Sequence, residues 1–158
     1  MSKKSTLALL GFLLLSLAVQ AGGALATFPE IATWYAGLQK PAWNPPPWIF
    51  GPVWTVLYAL MAVAAWLVWR EVGLRSAPLR LYFLQLLLNF AWSFLFFWGH
   101  SPALALLDIL LLWLAIGATT LVFGRVRPFS ALLFLPYWAW VSFAAALNFA
   151  IWRLNPAS

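Results

Sequence analysis

Residues 79–98 read LRLYFLQLLLNFAWSFLFFW, and the only charge among them is Arg80, next to the first position. At 1.5 Å per residue a helix of this length crosses about 30 Å of hydrocarbon. A segment surrounded by lipid must satisfy its backbone hydrogen bonds within a helix or a closed barrel. Barrel strands alternate in polarity over about ten residues, and this stretch does not. It therefore predicts a transmembrane helix.

Four more stretches of the same kind account for most of the 158-residue chain. The composition agrees, because 65% of the residues are hydrophobic and 8% are charged, against about half and about a quarter in soluble proteins. We predict an all-α integral membrane protein, a five-transmembrane-helix bundle with a long, folded first loop. Residues 1–158 form a single membrane domain, with helices at about 5–27, 48–69, 79–98, 102–123 and 130–152.

The first stretch has a second interpretation. Lys3 and Lys4, the apolar run behind them and Ala24-Leu25-Ala26 are also typical of a secretory signal with its cleavage site. Cleavage would leave four helices, so we prefer a retained first span. The chain contains no cysteine, which excludes disulfides and thiolate sites and leaves the redox compartment open.

The net charge of +6 does not predict a nucleic-acid partner, because the positions of the cationic residues agree with the expected membrane topology. Lys40 and Arg153 fall on one side of the membrane. By the positive-inside rule, a chain inserted through an inner membrane would have its N-terminus in the cytoplasm and its C-terminus outside. Whether the membrane is an inner or an outer one stays open. The other seven of the nine cationic residues fall on the opposite side, at Lys3, Lys4, Arg70, Arg75, Arg80, Arg125 and Arg127.

The connection at residues 28–47 is long for such a compact protein and rich in proline and tryptophan. Its prolines fix their own φ angles, and its aromatic side chains offer large apolar faces with one polar group each. We predict a folded lid over one end of the bundle, with a short helix at residues 33–38. An interfacial belt of aromatic residues is the other interpretation of Trp34 and Trp43.

Ionisable side chains are too few to predict an enzyme or a metal site. The chain has three acids and one histidine, and we expect Glu30 and Glu71 in loops and His100 alone in a tight turn. These four residues do not have the spacing of metal ligands, and they do not place a base beside a nucleophile. Asp108 lies inside the fourth span, where a carboxylate is a candidate functional group. No cation in the spans is available to partner it, so we favour a structural acid, protonated or hydrogen-bonded.

Amide and aromatic side chains recur at spacings of three and four on three of the spans, which places them on single helical faces. If these faces converge, they line a cavity suited to a large, flat, aromatic ligand. The alternative is that the amides only join helices, through hydrogen bonds of about 1 kcal/mol each. The faces consist of Trp54, Tyr58, Met61 and Ala62 on the second span, Gln85, Asn89, Trp92, Ser93 and Phe96 on the third, and Tyr137, Trp140, Ala144 and Asn148 on the fifth.

The same residues resemble the signature of a known family along the whole chain. The family is that of the translocator protein, also called tryptophan-rich sensory proteins or peripheral-type benzodiazepine receptors, and this chain looks like a bacterial-type member. The similar motifs are Trp34-Tyr35, Leu38, Lys40-Pro41, Trp43, Pro45-Pro46, Pro52-Val53-Trp54, Tyr58, Asn89-Phe90-Ala91-Trp92-Ser93, Asp108, Leu135-Pro136-Tyr137, Trp140 and Leu147-Asn148.

The resemblance implies a homodimeric bundle of five helices that binds protoporphyrin IX, haem and synthetic benzodiazepine-type ligands under the first loop. Porphyrin or haem would be a ligand, with no obligatory cofactor and no catalytic residue. The role implied is sensing, sequestration or transport. Transferred to this chain, the ligand-binding residues would be Trp34, Trp54, Tyr58, Asn89, Trp92, Trp140 and Ala144.

Three further interpretations remain. Light-dependent porphyrin degradation would be an enzyme-like alternative, with Trp54 and Trp140 beside the excited ligand. A membrane assembly factor without a small ligand is another. Sterol binding is a weak expectation, because the motif late in the fifth span has Phe149 where the family pattern has tyrosine, and residues 80–84 fit only a reversed pattern.

Overall fold

The computed structural model describes residues 2–156, and no β-strand occurs in that range. Five helices are long and apolar enough to cross a membrane, which confirms the predicted fold class. A 3-10 turn at Pro47–Ile49 leads into the second of them, and the third continues as a π-helix at Phe94–Trp98. The α-helices are α1 (Lys3–Ile31), a short α2 (Trp34–Gly37), α3 (Phe50–Val72), α4 (Ala77–Ser93), α5 (Pro102–Val126) and α6 (Pro128–Leu154).

Proline and glycine mark the ends of the long helices. Pro102 and Pro128 occupy the first turns of α5 and α6, where the missing N–H would have no intrahelical partner in any case. Ser101 caps α5, because its hydroxyl accepts a hydrogen bond from the backbone N–H of Leu104. Gly73 ends α3 with a φ of 76°, in the left-handed region that glycine tolerates.

The five long helices pack in a ring. Helix α1 lies against α3, α3 against α6, α6 against α5, α5 against α4, and α4 returns to α1. Small residues allow close approach at two of these contacts: a Cβ at Gly22 would lie 2.5 Å from Cε2 of Phe90, and a Cβ at Gly117 would lie 2.8 Å from Cζ2 of Trp138. The ring encloses a space between the helices at the end of the bundle where the first loop lies.

Two clusters of buried residues divide the interior. The larger one centres on α3, where Met61, Ala62, Ala64 and Ala65 are fully buried. The smaller one lies under the first loop and joins that loop to the ends of α4, α5 and α6. Its buried members are Tyr35, Phe96, Phe97, Ala105, Leu147 and Ile151.

The first helix is longer than predicted. We expected it to end near Thr27, whereas α1 continues to Ile31 and includes Pro29. Residues 28–31 belong to the predicted lid, but transmembrane helices tolerate proline. The Thr33 hydroxyl donates to the carbonyl of Pro29 at 3.1 Å. The lid proper is residues 32–46, and both Glu30 and Glu71 lie on helices and not in loops.

Candidate functional site

A cavity of about 190 Å³ lies between the helices under the lid. It is bounded by the second half of α1, the start of α3, the end of α4, and the lid-side halves of α5 and α6. Three indoles, those of Trp54, Trp92 and Trp140, form part of its wall. No Lys, Arg, Asp, Glu or His is among the described residues that line it.

Six of the seven predicted ligand-binding residues line this cavity: Trp54, Tyr58, Asn89, Trp92, Trp140 and Ala144. They come from three helices. The helical spacing places each set on one face, and the packing of α3, α4 and α6 brings the faces together. Whether they bind a ligand stays a prediction.

The polar groups at the floor of the cavity are bonded to one another. The hydroxyl of Tyr58 on α3 donates to Oδ1 of Asn89 at 2.6 Å, and Nδ2 of Asn89 donates to the hydroxyl of Tyr137 on α6 at 2.7 Å. That hydroxyl in turn donates to Oε1 of Gln85 at 2.8 Å. This chain of bonds joins α3, α4 and α6, so the amide of Asn89 is already committed to the protein.

A second polar contact fixes the indole of Trp92. Its Nε1 donates to Oδ1 of Asn148 on α6 at 3.0 Å, and Nδ2 of Asn148 donates to the backbone carbonyl of Pro102 at 2.8 Å. Trp140 differs, because its Nε1 is buried in the wall without a hydrogen-bond partner in the described part of the chain. Of these two indoles, only Trp140 retains a free N–H donor.

Hydrogen bonds within the lid stabilise its fold around Tyr35, which is 8% exposed and lines the cavity from above. Its hydroxyl donates to Oδ1 of Asn44 at 2.9 Å. Nζ of Lys40 donates to the carbonyls of Tyr35 at 2.6 Å and Leu38 at 2.8 Å. Burial raises the pKa of Tyr35, an effect the bond to Asn44 partly offsets, and burial lowers the pKa of Lys40.

The lid is also attached to the C-terminal end of α6. The backbone N–H of Gln39 donates to Oδ1 of Asn155 at 3.0 Å, and Nδ2 of Asn155 donates back to the carbonyl of Gln39 at 2.9 Å. Further along the lid, Trp43 packs edge-on against Phe143 of α6, with ring centroids 5.7 Å apart. The predicted folded lid is thus tied down at both of its halves.

Trp34 is the predicted site residue that does not line the cavity. Its indole lies outside the wall, stacked on His100 and edge-on to Phe96. Tyr35 occupies the place we expected Trp34 to take. A four-residue helix turns adjacent side chains to different sides, and contacts with Phe96 and Phe97 of the π-helix place Tyr35 on the inner side. Whether Trp34 binds a ligand stays a prediction.

Two other sequence predictions concern acids and the histidine. Asp108 is 7% exposed, does not line the cavity, and its Oδ2 has no hydrogen-bond partner among the described residues. His100 is not alone, because its Nε2 lies 2.9 Å from Oε2 of Glu30. No cluster of three or more potential metal-ligating side chains occurs within residues 2–156.

The two sterol patterns are placed differently. Tyr82, the aromatic residue of the reversed pattern, is fully buried and hydrogen-bonded to Ser16 at 3.4 Å. Phe149 of the other pattern is half-exposed on α6. The reversed pattern therefore does not present its tyrosine to the lipid.

Sequence reasoning missed the contribution of the first helix to the cavity. The only signal was the Gly22-Gly23 pair with Gln20 and Thr27, the non-aliphatic positions in the second half of that run. A Cβ at Gly23 would lie 3.0 Å from Oγ of Ser93, which shows how closely α1 approaches α4 here. The lining residues supplied by α1 are Gln20, Gly23, Ala24, Thr27, Phe28 and Ile31.

With the bundle, the cavity and the lid in view, comparison with known sequences identifies the family. The pattern of the TspO/MBR family matches residues 12–153. The chain belongs to the TspO/MBR family. It is 47% identical to the human translocator protein over 126 residues, which cover 77% of this chain and 75% of that protein. It is 45% identical to the tryptophan-rich protein TspO of Chlorobaculum tepidum over 150 residues, covering 91% and 94% of the two chains.

A third relative is the tryptophan-rich sensory protein of Cereibacter sphaeroides, 41% identical over 122 residues that cover 77% of each chain. The names of these relatives are translocator protein, tryptophan-rich protein TspO and tryptophan-rich sensory protein, and none is the name of an enzyme. Membership of the TspO/MBR family, together with five apolar helices, makes this chain an integral multi-pass membrane protein. It supports a role of the receptor or transporter type.

Proposed function

We propose that this protein is a membrane receptor or carrier that binds tetrapyrroles such as protoporphyrin IX and haem, and related flat ligands, in the cavity under the lid. Sensing, sequestration or transport of the ligand would follow from reversible binding. The observation that supports this most is a cavity with three indoles in its wall and no charged side chain among the described residues lining it. Indole faces supply large apolar contact area for a flat aromatic ring.

The cavity is smaller than most pockets that bind ligands of this size. Its 190 Å³ lies below the roughly 300–1,000 Å³ that is usual for pockets of drug-sized ligands. Phe28, Pro47 and Gly51 line it and are also exposed on the outside, so it opens between α1 and the start of α3. A tetrapyrrole would occupy this opening in part or displace the lid.

Charge determines the orientation of such a ligand. An ionised carboxylate loses its hydration in an uncharged apolar cavity, which is unfavourable without a paired cation. The propionates of protoporphyrin IX would therefore remain at the opening, with the opposite edge of the macrocycle, which carries the apolar vinyl groups, inside. No His or Met lines the cavity within the described residues, and the two tyrosines that do, Tyr35 and Tyr58, already donate their hydroxyls to Asn44 and Asn89. Haem would therefore be held through its macrocycle and not through its iron.

Binding without turnover is the proposed outcome. The cavity wall supplies no acid or base for proton transfer, since Tyr58 is hydrogen-bonded to Asn89. Light-dependent degradation would need the excited porphyrin itself to supply the reactivity. It is tested by illuminating the complex and following porphyrin absorbance against that of the same porphyrin in empty nanodiscs.

The direct test is a fluorescence titration of the protein in nanodiscs with protoporphyrin IX. We expect saturable quenching at one site per chain for the wild type and loss of saturation for the Trp54→Phe/Trp140→Phe variant. The matched control is Trp48→Phe/Trp152→Phe, which also removes two indoles, neither of which lines the cavity. It should bind like the wild type.

Equal, non-saturating quenching in all three proteins would mean that porphyrin only partitions into lipid near the indoles. That result would reject the proposal and favour the assembly-factor hypothesis. Loss of binding in both double variants would instead place the site outside the cavity.

A further inference from the structure

The segment between α4 and α5 has an unusual backbone. The last turn of the third transmembrane helix is a π-helix, Phe94–Trp98, and the N–H of Gly99 bonds to the carbonyl of Phe94 at 2.7 Å. His100 follows with a φ of 50°, the only positive φ of a non-glycine residue in the described part of the chain. π-Helical turns and residues held in the left-handed region both cluster at functional sites.

This backbone places two rings around Trp34 of the lid. Phe96, inside the π-helix, is 2% exposed and lines the cavity; its centroid lies 5.4 Å from that of Trp34 in an edge-on contact. The imidazole of His100 stacks on the indole of Trp34, with ring centroids 4.6 Å apart and 12° between the ring planes. Trp34 thus contacts the cavity wall through Phe96, which itself stacks on Trp92 at 5.1 Å.

Glu30 at the end of α1 fixes the imidazole. Its Oε2 lies 2.9 Å from Nε2 of His100 and also accepts the hydroxyl of Thr33 at 3.3 Å. Thr33 directly precedes Trp34 in the chain. Through these two contacts the carboxylate connects α1 with the turn before α5 and with the start of the lid.

We infer that His100 is a positioning residue that holds Trp34 in place and thereby sets how often the lid opens. We call Glu30, His100, Trp34 and Phe96 the latch. The inference rests on the proposed function in one respect, since a latch matters to function only if a ligand enters and leaves under the lid. Its effect on the lid itself does not depend on any ligand.

A latch and a wall residue have different kinetic signatures. Weakening the latch favours opening in the free and in the bound protein alike, so the association and dissociation rates of the ligand should rise together and Kd should change little. Removing a wall contact such as the indole of Trp140 raises the dissociation rate alone. An aromatic contact contributes about 0.5–1.5 kcal/mol beyond its buried area, which corresponds to a roughly 2- to 10-fold change in rate.

The first experiment needs no ligand. His100→Asn removes the ring and keeps a residue that tolerates the left-handed backbone, while Glu30→Gln keeps a hydrogen-bonding side chain without the charge. We expect faster hydrogen exchange at the backbone amides of Leu38, Gln39 and Asn44 in His100→Asn and a smaller increase in Glu30→Gln. Glu71→Gln, which alters the exposed ion pair with Arg127 at the other end of the bundle, is the matched control and should exchange like the wild type.

Unchanged exchange in His100→Asn, or an equal increase in Glu71→Gln, would overturn the inference. Should His100→Asn fold poorly, Trp34→Ala breaks the same contact from the lid side and should give the same increase. The double variant should exchange no faster than Trp34→Ala alone, because both substitutions remove one shared contact. Full additivity would contradict a common latch.

The second experiment measures the association and dissociation rates of protoporphyrin IX by stopped flow in nanodiscs. Parallel increases of about 2- to 10-fold in both rates for His100→Asn are expected. Unchanged rates together with faster lid exchange would mean that the ligand enters between α1 and α3, and would reject the role of the latch in entry. If the wild type does not bind porphyrin at all, the proposed function fails while the exchange result still decides on the latch.

Discussion

Asn89 joins three helices through one side chain. It accepts from Tyr58 on α3 and donates to Tyr137 on α6, and both bonds are buried. In hydrocarbon an unpaired hydroxyl has no water to bond, so removing the amide leaves two groups without their partner. At this residue the bundle depends on a side chain that would otherwise be taken for a ligand contact.

We expect Asn89→Leu to lower the free energy of unfolding by about 1–3 kcal/mol, the usual range for a buried polar group left unsatisfied. Thermal unfolding in detergent, followed by circular dichroism without ligand, measures it. Gln20→Leu is the control, because Gln20 bonds to Thr55 at an exposed position and should change stability by less than about 0.5 kcal/mol. If Asn89→Leu keeps wild-type stability but loses porphyrin binding, the amide is a ligand contact and our assignment is wrong.

Trp92 and Trp140 form a matched pair of cavity indoles. The N–H of Trp92 is bonded to Asn148, whereas that of Trp140 is buried and unpaired. Trp92→Phe should therefore lower stability more than Trp140→Phe, by about 0.5–1.5 kcal/mol, the net value of one hydrogen bond. Chemical or thermal unfolding of the two variants side by side gives the difference, and equal losses would contradict it.

At the level of the elements, α5 and α6 approach closely where Gly117 faces Trp138. The indole of Trp138 also contacts that of Trp113, with centroids 5.2 Å apart, so it has little room to move. Glycine is needed here because of the distance between the helices and not because of its backbone conformation.

Gly117→Ala should lower stability by about 1–3 kcal/mol, since the new methyl group would overlap a ring that is packed on both sides. Gly11→Ala on α1 is the matched control, because a Cβ there meets nothing within 4 Å and alanine is the better helix former. Unfolding measurements on both variants test this. A neutral Gly117→Ala would show that Trp138 rotates away freely.

For the whole molecule, the two ends of the bundle differ in charge. Lys40 and Arg153 are the only cationic residues at the lid end, and the other seven lie at the opposite end. The positive-inside rule then places the lid outside the cytoplasm in an inner membrane. The orientation is a prediction from charge alone.

The cysteine-free chain allows a direct test of orientation. A maleimide that does not cross membranes should label Ala42→Cys in the lid from outside intact spheroplasts, and should label Ser76→Cys, between α3 and α4, only after lysis. The reverse pattern would contradict the predicted orientation, and labelling of both positions before lysis would indicate mixed insertion.

The spans, their helical faces and the family could all be predicted from the amino-acid sequence. Five long apolar runs have to be helices in lipid, and a spacing of three or four places Trp54 and Tyr58, or Trp140 and Ala144, on one face whatever the neighbours are. These rules act within a single helix, so they can be applied to the sequence without knowing the neighbouring helices. The cavity residues supplied by α3, α4 and α6 were predictable for that reason.

The contacts between side chains of different elements became known only from the packing of the helices. It placed Trp34 on His100 and Tyr35 over the cavity, engaged Asn89 with two tyrosines, and extended α1 through Pro29 to bring Glu30 within 2.9 Å of His100. Each of these depends on a distance between helices that are far apart in the chain. Such distances result from the packing of all the side chains together, and residue spacing within one helix does not predict them.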